Sequence, residues 1–532
     1  MSTPFDALYR ILPLQNGRQP AGFEFLTHLE EYWNAHKQLV IENWNFYHGY
    51  HNVFLQKFPE EEHKDFIDRI NNATIENQIK PILNLIISHL YGNRTSVIRY
   101  ANRNDEQDKE ITQLLKKVVW NFNLPGTLDD KKALNTVVSG YTVIQRSFYD
   151  IRTNKPFSIT ASTSEKIKYG YICKSVMDSA QCIPIPSPDD YSFNSPTKFG
   201  ALLFLGEVSN FIGDMNTMKL LQKELIRKDV IEYIDDKIWI RFEKSKNENK
   251  WVQVDVNAGT PYQNRNFYEN VAIPYTVYRN TGDPFMIEGM SDIIDMKSLN
   301  MELNELATGD KETIRYHQYP ILALYGAAFP DDFKRTKNTT LEFPDGTKDK
   351  THAEYITWEG KLEASDKRQE SIRRALSTVT GISLLSRGFM KEIGQVRSGP
   401  PLKALFTSDR AVMSRKFNVF AACEADDMRA DMLFWKAHTK QDFDIDNSVS
   451  FHADFADDFL GIDALLEAEV ASIRVSSNTQ STEDLLRTEH PDWSEEEVMT
   501  ELKKIEKQKK DGQPKPKGQT AKSGEKSTAS QE

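Results

Sequence analysis

Three groups of side chains in this sequence have types and spacings that could do chemistry. Asp442, Asp444 and Asp446, followed by Asp454, Asp457 and Asp458, could offer oxygen ligands to a divalent cation. Gly289-Met290-Ser291 is half of a Gly-x-Ser-x-Gly nucleophile turn. Arg387, Lys391 and Arg397, with Phe389 among them, could make sparse, sequence-blind contacts to phosphates. Lys403, Arg410, Arg415 and Lys416 extend that basic group in an otherwise acidic chain.

Each group meets a test. A calcium loop needs Gly at its sixth position and Glu at its twelfth, where this chain has Asn447 and Ala453. Phe443 and Ile445 alternate with the three acids, so the pattern fits the outward face of a strand. Asp454, Asp457 and Asp458 read as a solvated loop, with an ion shared between subunits as the competing reading. The serine turn lacks its closing glycine, because position 293 is Ile, and Ser291 is better placed to cap a helix start. No Walker loop, G-x-G-x-x-G, H-E-x-x-H or C-x-x-C occurs. Gly360, Gly381, Gly388, Gly394 and Gly399 read as turn and hinge positions. Neither His28 and His36 nor His48 and His51 have a partner at a diagnostic spacing, so they read as surface or satisfied core residues. The expectation is no catalytic residue, no metal and no cofactor. The alternative is a metal-dependent nucleic-acid enzyme using the acids of 442–458.

The chain must then supply elements to hold these groups. At 532 residues it exceeds one core, and 29 Phe, 20 Tyr and 8 Trp provide apolar mass despite a mean hydropathy of -0.57. A net charge of -11 is unsuited to holding nucleic acid tightly over a broad surface. Cys173, Cys182 and Cys423 form an odd set without metal spacing, which predicts reduced thiols in a cytosolic compartment. The opening MSTPFDALYR lacks the pattern of a secretory leader. The most apolar stretch, 79–90, is too short and polar to span a bilayer, so no membrane is expected.

Periodicity predicts helices over 23–50, 72–90, 105–121 and 127–139, with strands at 96–100 and 141–149. From 155 to 280 short β runs dominate, at 183–188, 202–205, 237–242, 251–256 and 273–278, with one helix over 216–227. Residues 287–319, 363–380 and 402–435 carry three long helical patterns. Ile293, Leu299, Leu303 and Leu306 mark the first and Ile372 and Leu376 the second. Between these two lies a small β excursion, 320–360, with strands at 321–325, 340–343 and 354–358. A strand over 442–453 and helices over 463–474 and 482–508 follow. The last segment, 511–532, has no large apolar side chain and reads as a disordered tail. The predicted class is α+β.

In order and spacing, several short motifs resemble the portal protein of tailed bacteriophages. They are Asn72–Lys80 with Leu83–Gly92, Ser139-Gly140-Tyr141-Thr142-Val143, Ile273-Pro274-Tyr275 with Asn280, Gly289-Met290-Ser291-Asp292-Ile293 with Leu299-Asn300, and Gly381-Ile382-Ser383 through Ser398-Gly399 with Leu402-Lys403. Pro400 and Pro401 depart from the small residue usual before the Leu-Lys. The resemblance implies a wing over 1–285, stem helices within 286–319 and 361–383, and a clip over 320–360. It further implies a DNA-facing tunnel loop over 384–400 (Arg387, Phe389, Lys391, Arg397), a long wing helix and strand over 401–459, a crown over 460–510 and the tail over 511–532. It implies a homo-oligomeric ring, usually of 12 subunits, in the virion at one capsid vertex, assembled in the host cytoplasm. Double-stranded DNA would pass through it without sequence specificity. Its partners would be the large terminase, head-completion or adaptor proteins, and the major capsid and scaffolding proteins. Another ring-forming virion connector is the shorter-chain alternative.

Overall fold

The computed structural model describes residues 23–91, 97–101, 106–123, 125–157, 161–186, 199–210, 226–235, 237–245, 250–255, 274–280, 289–318, 321–325, 352–356, 362–384, 386–387, 407–441, 450–455, 480–489, 493 and 495–511. Helices α1 (Phe23–His48), α2 (His63–Asn72) and α3 (Ile79–Tyr91) come first. α3 forms because Ile79, Ile82, Leu83, Ile86, Ile87 and Leu90 fall on one buried stripe. β1 (Val97–Ala101) precedes α4 (Glu106–Leu115), which runs into a π turn over Lys116–Trp120. α5 (Pro125–Ser139) starts on a proline, whose missing N–H costs nothing there.

β2 (Tyr141–Asp150) is the hub of a four-stranded antiparallel sheet. β3 (Lys155–Pro156) meets one end of β2; α6 (Thr163–Tyr169) leads to β4 (Gly170–Met177), which pairs with β2 over Val143–Asp150. Strands β5 (Cys182–Pro186), β6 (Phe199–Asn210), β7 (Ile226–Asp235), β8 (Trp239–Ser245) and β9 (Lys250–Val254) form a five-stranded antiparallel meander. Alternation gives the meander two apolar faces. Leu203, Leu205, Ile231 and Tyr233 pack with Trp33 of α1, while Cys182, Leu202 and Ile234 pack with Tyr141, Val143 and Val277 of the hub sheet. β10 (Tyr275–Arg279) completes the hub sheet against Tyr141–Gln145.

α7 (Lys297–Gln318) follows a 3-10 turn over Ile294–Met296. β11 (Ile321–Tyr325) and β12 (His352–Ile356) pair antiparallel, and α8 (Glu363–Thr380) returns, closed by Gly381 in the left-handed region. α9 (Thr407–Thr439) has 33 residues and is about 50 Å long. β13 (Phe451–Phe455) pairs with β1, and α10 (Thr482–Glu489) and α11 (Glu495–Asp511) end the described chain. The fold is α+β, with its largest core between α3, α5, α7, α8 and α9.

Several expectations are corrected. The helix expected over 72–90 is two elements: α2 ends at Asn72, residues 73–78 are non-helical, and α3 begins at Ile79. The helix expected from 287 starts at Lys297, and residues 289–291 are irregular. Residues 226–227, expected in a helix, begin β7, and the rest of that expected helix lies outside the described residues. The single helix expected over 482–508 is two elements, α10 ending at Glu489 and α11 beginning at Glu495. Elements α2, α6, β4 and β7 were not expected. Strand 340–343, helix 463–474, the tail and most of the segment 442–453 lie outside the described residues.

Candidate functional site at the root of the paired helices

The first helix of the pair is rooted where two glycines touch. Gly140 ends α5 at φ +92, a conformation that favours glycine. A Cβ on Gly140 would collide with the Gly289 carbonyl, and one on Gly289 would collide with the Gly140 carbonyl. Around this contact Asn280 N donates to Gly140 O (2.8 Å) and Asp292 N to Val137 O (3.1 Å). Ser291 Oγ donates to Val138 O (2.5 Å) and accepts from Ile293 N (3.1 Å). Ser291 therefore closes a local turn and ties it to α5, rather than capping α7. Asn280 Nδ2 donates to Met290 O (2.8 Å) and Asp292 Oδ1 (2.9 Å). Lys416 of α9 donates to Asn280 Oδ1 and Asp292 Oδ2, both at 2.7 Å. Lys416 is buried, so it serves as an internal tie, whereas Arg410 and Arg415 are exposed.

A second device holds α7 along its length. Asn300, Asn304 and Thr308 lie on one face, four residues apart. Asn300 Oδ1 accepts from Gln78 N (3.0 Å), Asn304 Oδ1 from Glu76 N (2.9 Å) and Thr308 Oγ1 from Thr74 N (3.0 Å). The match is metric: four helical residues rise about 6.0 Å, and two extended residues about 6.6 Å. His51 sits behind it. Its Nε2 donates to Phe46 O (2.8 Å), leaving Nδ1 to accept from Asn300 Nδ2 (3.1 Å) and Asn304 Nδ2 (2.8 Å). Burial lowers the His51 pKa, which suits this neutral tautomer. Replacing Asn304 by Ala leaves Glu76 N–H without its acceptor, and the expected loss is about 1–3 kcal/mol despite alanine's better helix propensity. Chemical denaturation measures it; an unchanged midpoint would show that the ladder adds nothing.

α8 runs antiparallel to α7. Asp310 accepts from Ser365 Oγ (2.8 Å) and Gln369 Nε2 (2.6 Å), while Glu76, bound to Asn304, holds Arg373 through both oxygens (2.9 and 2.8 Å). Ile293, Leu303, Ile372 and Leu376 are fully buried in one core, with Leu299 and Leu306 packed on its margin. The structure thus brings together all six apolar residues singled out from the sequence.

The basic loop begins from the same root. Arg387 donates to the Gln78 side-chain oxygen and to Arg373 O (3.4 Å). Burial, then the neighbouring Arg373, lowers its pKa to about 10. Ser383 N (2.5 Å), Ser383 Oγ (3.0 Å) and Ser386 Oγ all donate to the Asp409 carboxylate in the first turn of α9. The chain therefore leaves α8 and begins α9 at one pinned point. Phe389, Lys391, Arg397 and Lys403 lie outside the described residues.

Behind the root, α9 carries a buried ionic network. Glu424 accepts from Arg99 (2.8 Å) and Lys132, and Asp129 pairs with the same two cations (2.9 and 3.0 Å). Asp427 and Asp431 share Arg146 and Lys174. Burial opposes ionisation of Glu424, but Arg99 and Lys132 outweigh it and hold its pKa well below the usual range. Asp427 is likewise held down to about 2 by Lys174 and Arg146 against burial. Asp431 is raised, by burial first and by Asp427 in addition.

Among the described residues no group of three or more His, Cys, Asp or Glu could hold a metal ion, and no helix is long and apolar enough to cross a membrane. Asp454 is on β13 and accepts from Tyr100 Oη (2.9 Å); Asp442, Asp444, Asp446, Asp457 and Asp458 lie outside the described residues. Sequence reasoning missed the asparagine ladder. Its available signal was a line of poor helix formers, Asn300, Asn304 and Thr308, on one face of a strong helical pattern.

No protein-family model matches the sequence, and no curated protein matches it. Among solved structures, the chain is similar to one from the virion of a native gene transfer agent (GTA) particle, with TM-score 0.37 and 8% identity over 81% of this chain and 94% of that one. It is also similar to one from the neck of a native GTA particle computed with C12 symmetry, with TM-score 0.36 and 8% identity over 81% of this chain and 95% of that one.

Proposed function

We propose that this chain is a structural, non-enzymatic subunit of a ring-shaped portal at one virion vertex. The ring conducts double-stranded DNA during packaging and ejection. The observation that carries this reading is the convergence at the root of α7. Ser139-Gly140, Asn280 and Gly289–Asp292, distant in sequence and each part of the portal resemblance, meet there in one hydrogen-bonded joint. From that joint two antiparallel helices extend, with the β11–β12 pair between them. A pair fixed at its root by backbone and side-chain bonds suits the rigid wall of a channel. A net charge of -11 per subunit gives a twelve-subunit ring roughly -130 of formal charge, which disfavours tight binding of passing phosphates.

In this reading the segment 320–360 docks the large terminase and later the head-completion proteins, and the motor's ATP hydrolysis belongs to the terminase. Lys391 and Arg397, with Phe389, are the DNA-facing groups of the loop, and Arg387 anchors its start. Electron microscopy of the purified protein tests the proposal. Rings with a central hole are expected, and Lys391→Ala/Arg397→Ala rings should assemble normally but package or retain less DNA. A chain that stays monomeric at micromolar concentration sinks the ring; normal packaging and retention by the double variant sinks the loop assignment alone.

A further inference from the structure

The ladder that holds α7 accepts His51 in one protonation state only. The ring is fully buried, and each of its hydrogen bonds fixes the next. The backbone N–H groups of Gln78 and Glu76 can only donate, so Asn300 and Asn304 must turn their Oδ1 atoms toward residues 73–78. Both Nδ2 groups then point at His51 Nδ1, which must be a bare acceptor (3.1 and 2.8 Å). Phe46 O holds the ring's one proton on Nε2 (2.8 Å). A second proton, on Nδ1, would face two N–H donors. Turning either amide to offer its Oδ1 would bring its Nδ2 against a backbone N–H of 73–78 and break that bond. No rotation of the three side chains satisfies a protonated ring.

Nor is there a counter-charge for it. The charged groups on the elements packed about His51 are paired with one another: Lys297 of α7 with Glu42 of α1 at 2.6 Å, beside the Phe46 ring, and Glu76 with Arg373 of α8. The titratable His48 is exposed and stacks on Trp44. Among the described residues no bond joins His51 to a carboxylate.

Residues 73–78 also have ties that do not depend on His51. Asn77 Nδ2 donates to Tyr47 O (3.0 Å), and Asn77 Oδ1 accepts from Ile79 N and Lys80 N (both 3.1 Å) at the start of α3. The segment can therefore leave α7 while it stays fixed to α1 and α3. Its other side chains reach further: Glu76 holds Arg373, and Gln78 Oε1 accepts from Arg387.

We propose that residues 73–78 are an acid-released strap. One proton on His51 detaches Glu76 and Gln78 from α7, and the release passes to α8 through Arg373 and to Arg387 through Gln78. The device belongs to the single subunit and is independent of the ring reading above.

The sign follows from linkage. Burial lowers the His51 pKa in the closed strap, so its contribution is present above the ordinary value of 6.5 and is lost as pH falls below it. While the closed ring stays neutral, strap opening should rise roughly tenfold for each pH unit below 6.5, or about 20-fold from pH 7 to pH 5.

Hydrogen exchange tests this, because the amides of Glu76 and Gln78 are the bonds in question. Protection factors, taken against an unstructured chain at the same pH, are measured on the full chain at pH 7, 6 and 5. Peptides spanning 73–78 should lose about 20-fold of their protection while β2 keeps its own. In His51→Gln, which cannot titrate, the protection of 73–78 should not change with pH. His89 on α3 also has a lowered pKa, through burial, and His89→Gln should keep the parent's acid response. A parent loss under three-fold overturns the strap, as does an equal loss in His51→Gln, a loss abolished by His89→Gln, or a loss shared by β2. If His51→Gln does not fold, the parent and His89→Gln decide by the same limits. Ring assembly, or its absence, leaves the result unaffected.

Discussion

Replacing Arg146 by Met lowers the free energy of unfolding by about 3–5 kcal/mol. The Arg146 side chain is fully buried and reaches both Asp427 and Asp431. Methionine is apolar and fills a similar volume, so packing is largely kept. What is lost is the charge, and Lys174 alone then faces two buried carboxylates. One of them must take a proton or unfold the site. The buried network as a whole holds four cations (Arg99, Lys132, Arg146, Lys174) against four carboxylates (Asp129, Glu424, Asp427, Asp431), so any single removal leaves an excess. Adding Asp431→Leu to Arg146→Met restores the balance and should recover much of the loss, because a neutral buried replacement is tolerated better than half a pair. Urea melts of the parent, the single and the double variant provide the measurement; equal midpoints for parent and single variant would remove the network from the stability argument.

The same network sets the acid behaviour. Glu424 and Asp427 have folded-state pKa values below their ordinary 4.5 and 3.8. Their contribution is present above those ordinary values and is lost as pH falls, for Asp427 through about 2. Asp431 is raised and acts in the opposite sense, being relieved by acid. Two groups outweigh one, so stability should hold near neutral pH and fall below about pH 4. The gap between the parent and Arg146→Met should narrow over that same range, since protonation removes the uncompensated charge. A gap independent of pH would mean that the cost of the variant is packing rather than charge.

What the sequence could and could not show follows from where each element finds its partners. The bounds of α8, Glu363–Thr380, are legible in the sequence because its apolar stripe and its glycine stop are local signals. α1 and α5 were legible on the same grounds. Residues 73–78 look helical in sequence but are not, because the backbone donors of Thr74, Glu76 and Gln78 are satisfied by Thr308, Asn304 and Asn300, more than 200 residues away. Nothing within the segment records that partner. The acids of α9 were similarly opaque. Glu424, Asp427 and Asp431 resemble a solvated helical face, yet their cations come from β1, α5, β2 and β4, and only the assembled fold buries them together. The sequence points to an earlier start for α7 than Lys297 because Gly289-Met290-Ser291-Asp292 has helix-start chemistry. Its donors and acceptors are taken instead by α5, Asn280 and Lys416.

Gly140→Ala should be the most damaging glycine-to-alanine change among the described residues, with a loss on the order of 3–5 kcal/mol or failure to fold. Two independent costs add. The left-handed backbone at φ +92 strains any L side chain, by about 1–3 kcal/mol. The new methyl also has no space, because it would overlap the backbone carbonyl of Gly289, which is not the far end of a flexible side chain. For the two segments to separate, the bonds from Asn280 N to Gly140 O and from Asp292 N to Val137 O must lengthen, and the Asn280–Lys416 tie moves with them. The change therefore loosens α7 from both the hub sheet and α9. Gly309→Ala is the matched control. It adds the same methyl in regular helix with open space around it, so the isolated subunit should gain up to about 1 kcal/mol. Thermal and urea melts of the two variants decide the matter: similar effects at both positions would mean that the Gly140–Gly289 contact does not root the helix pair.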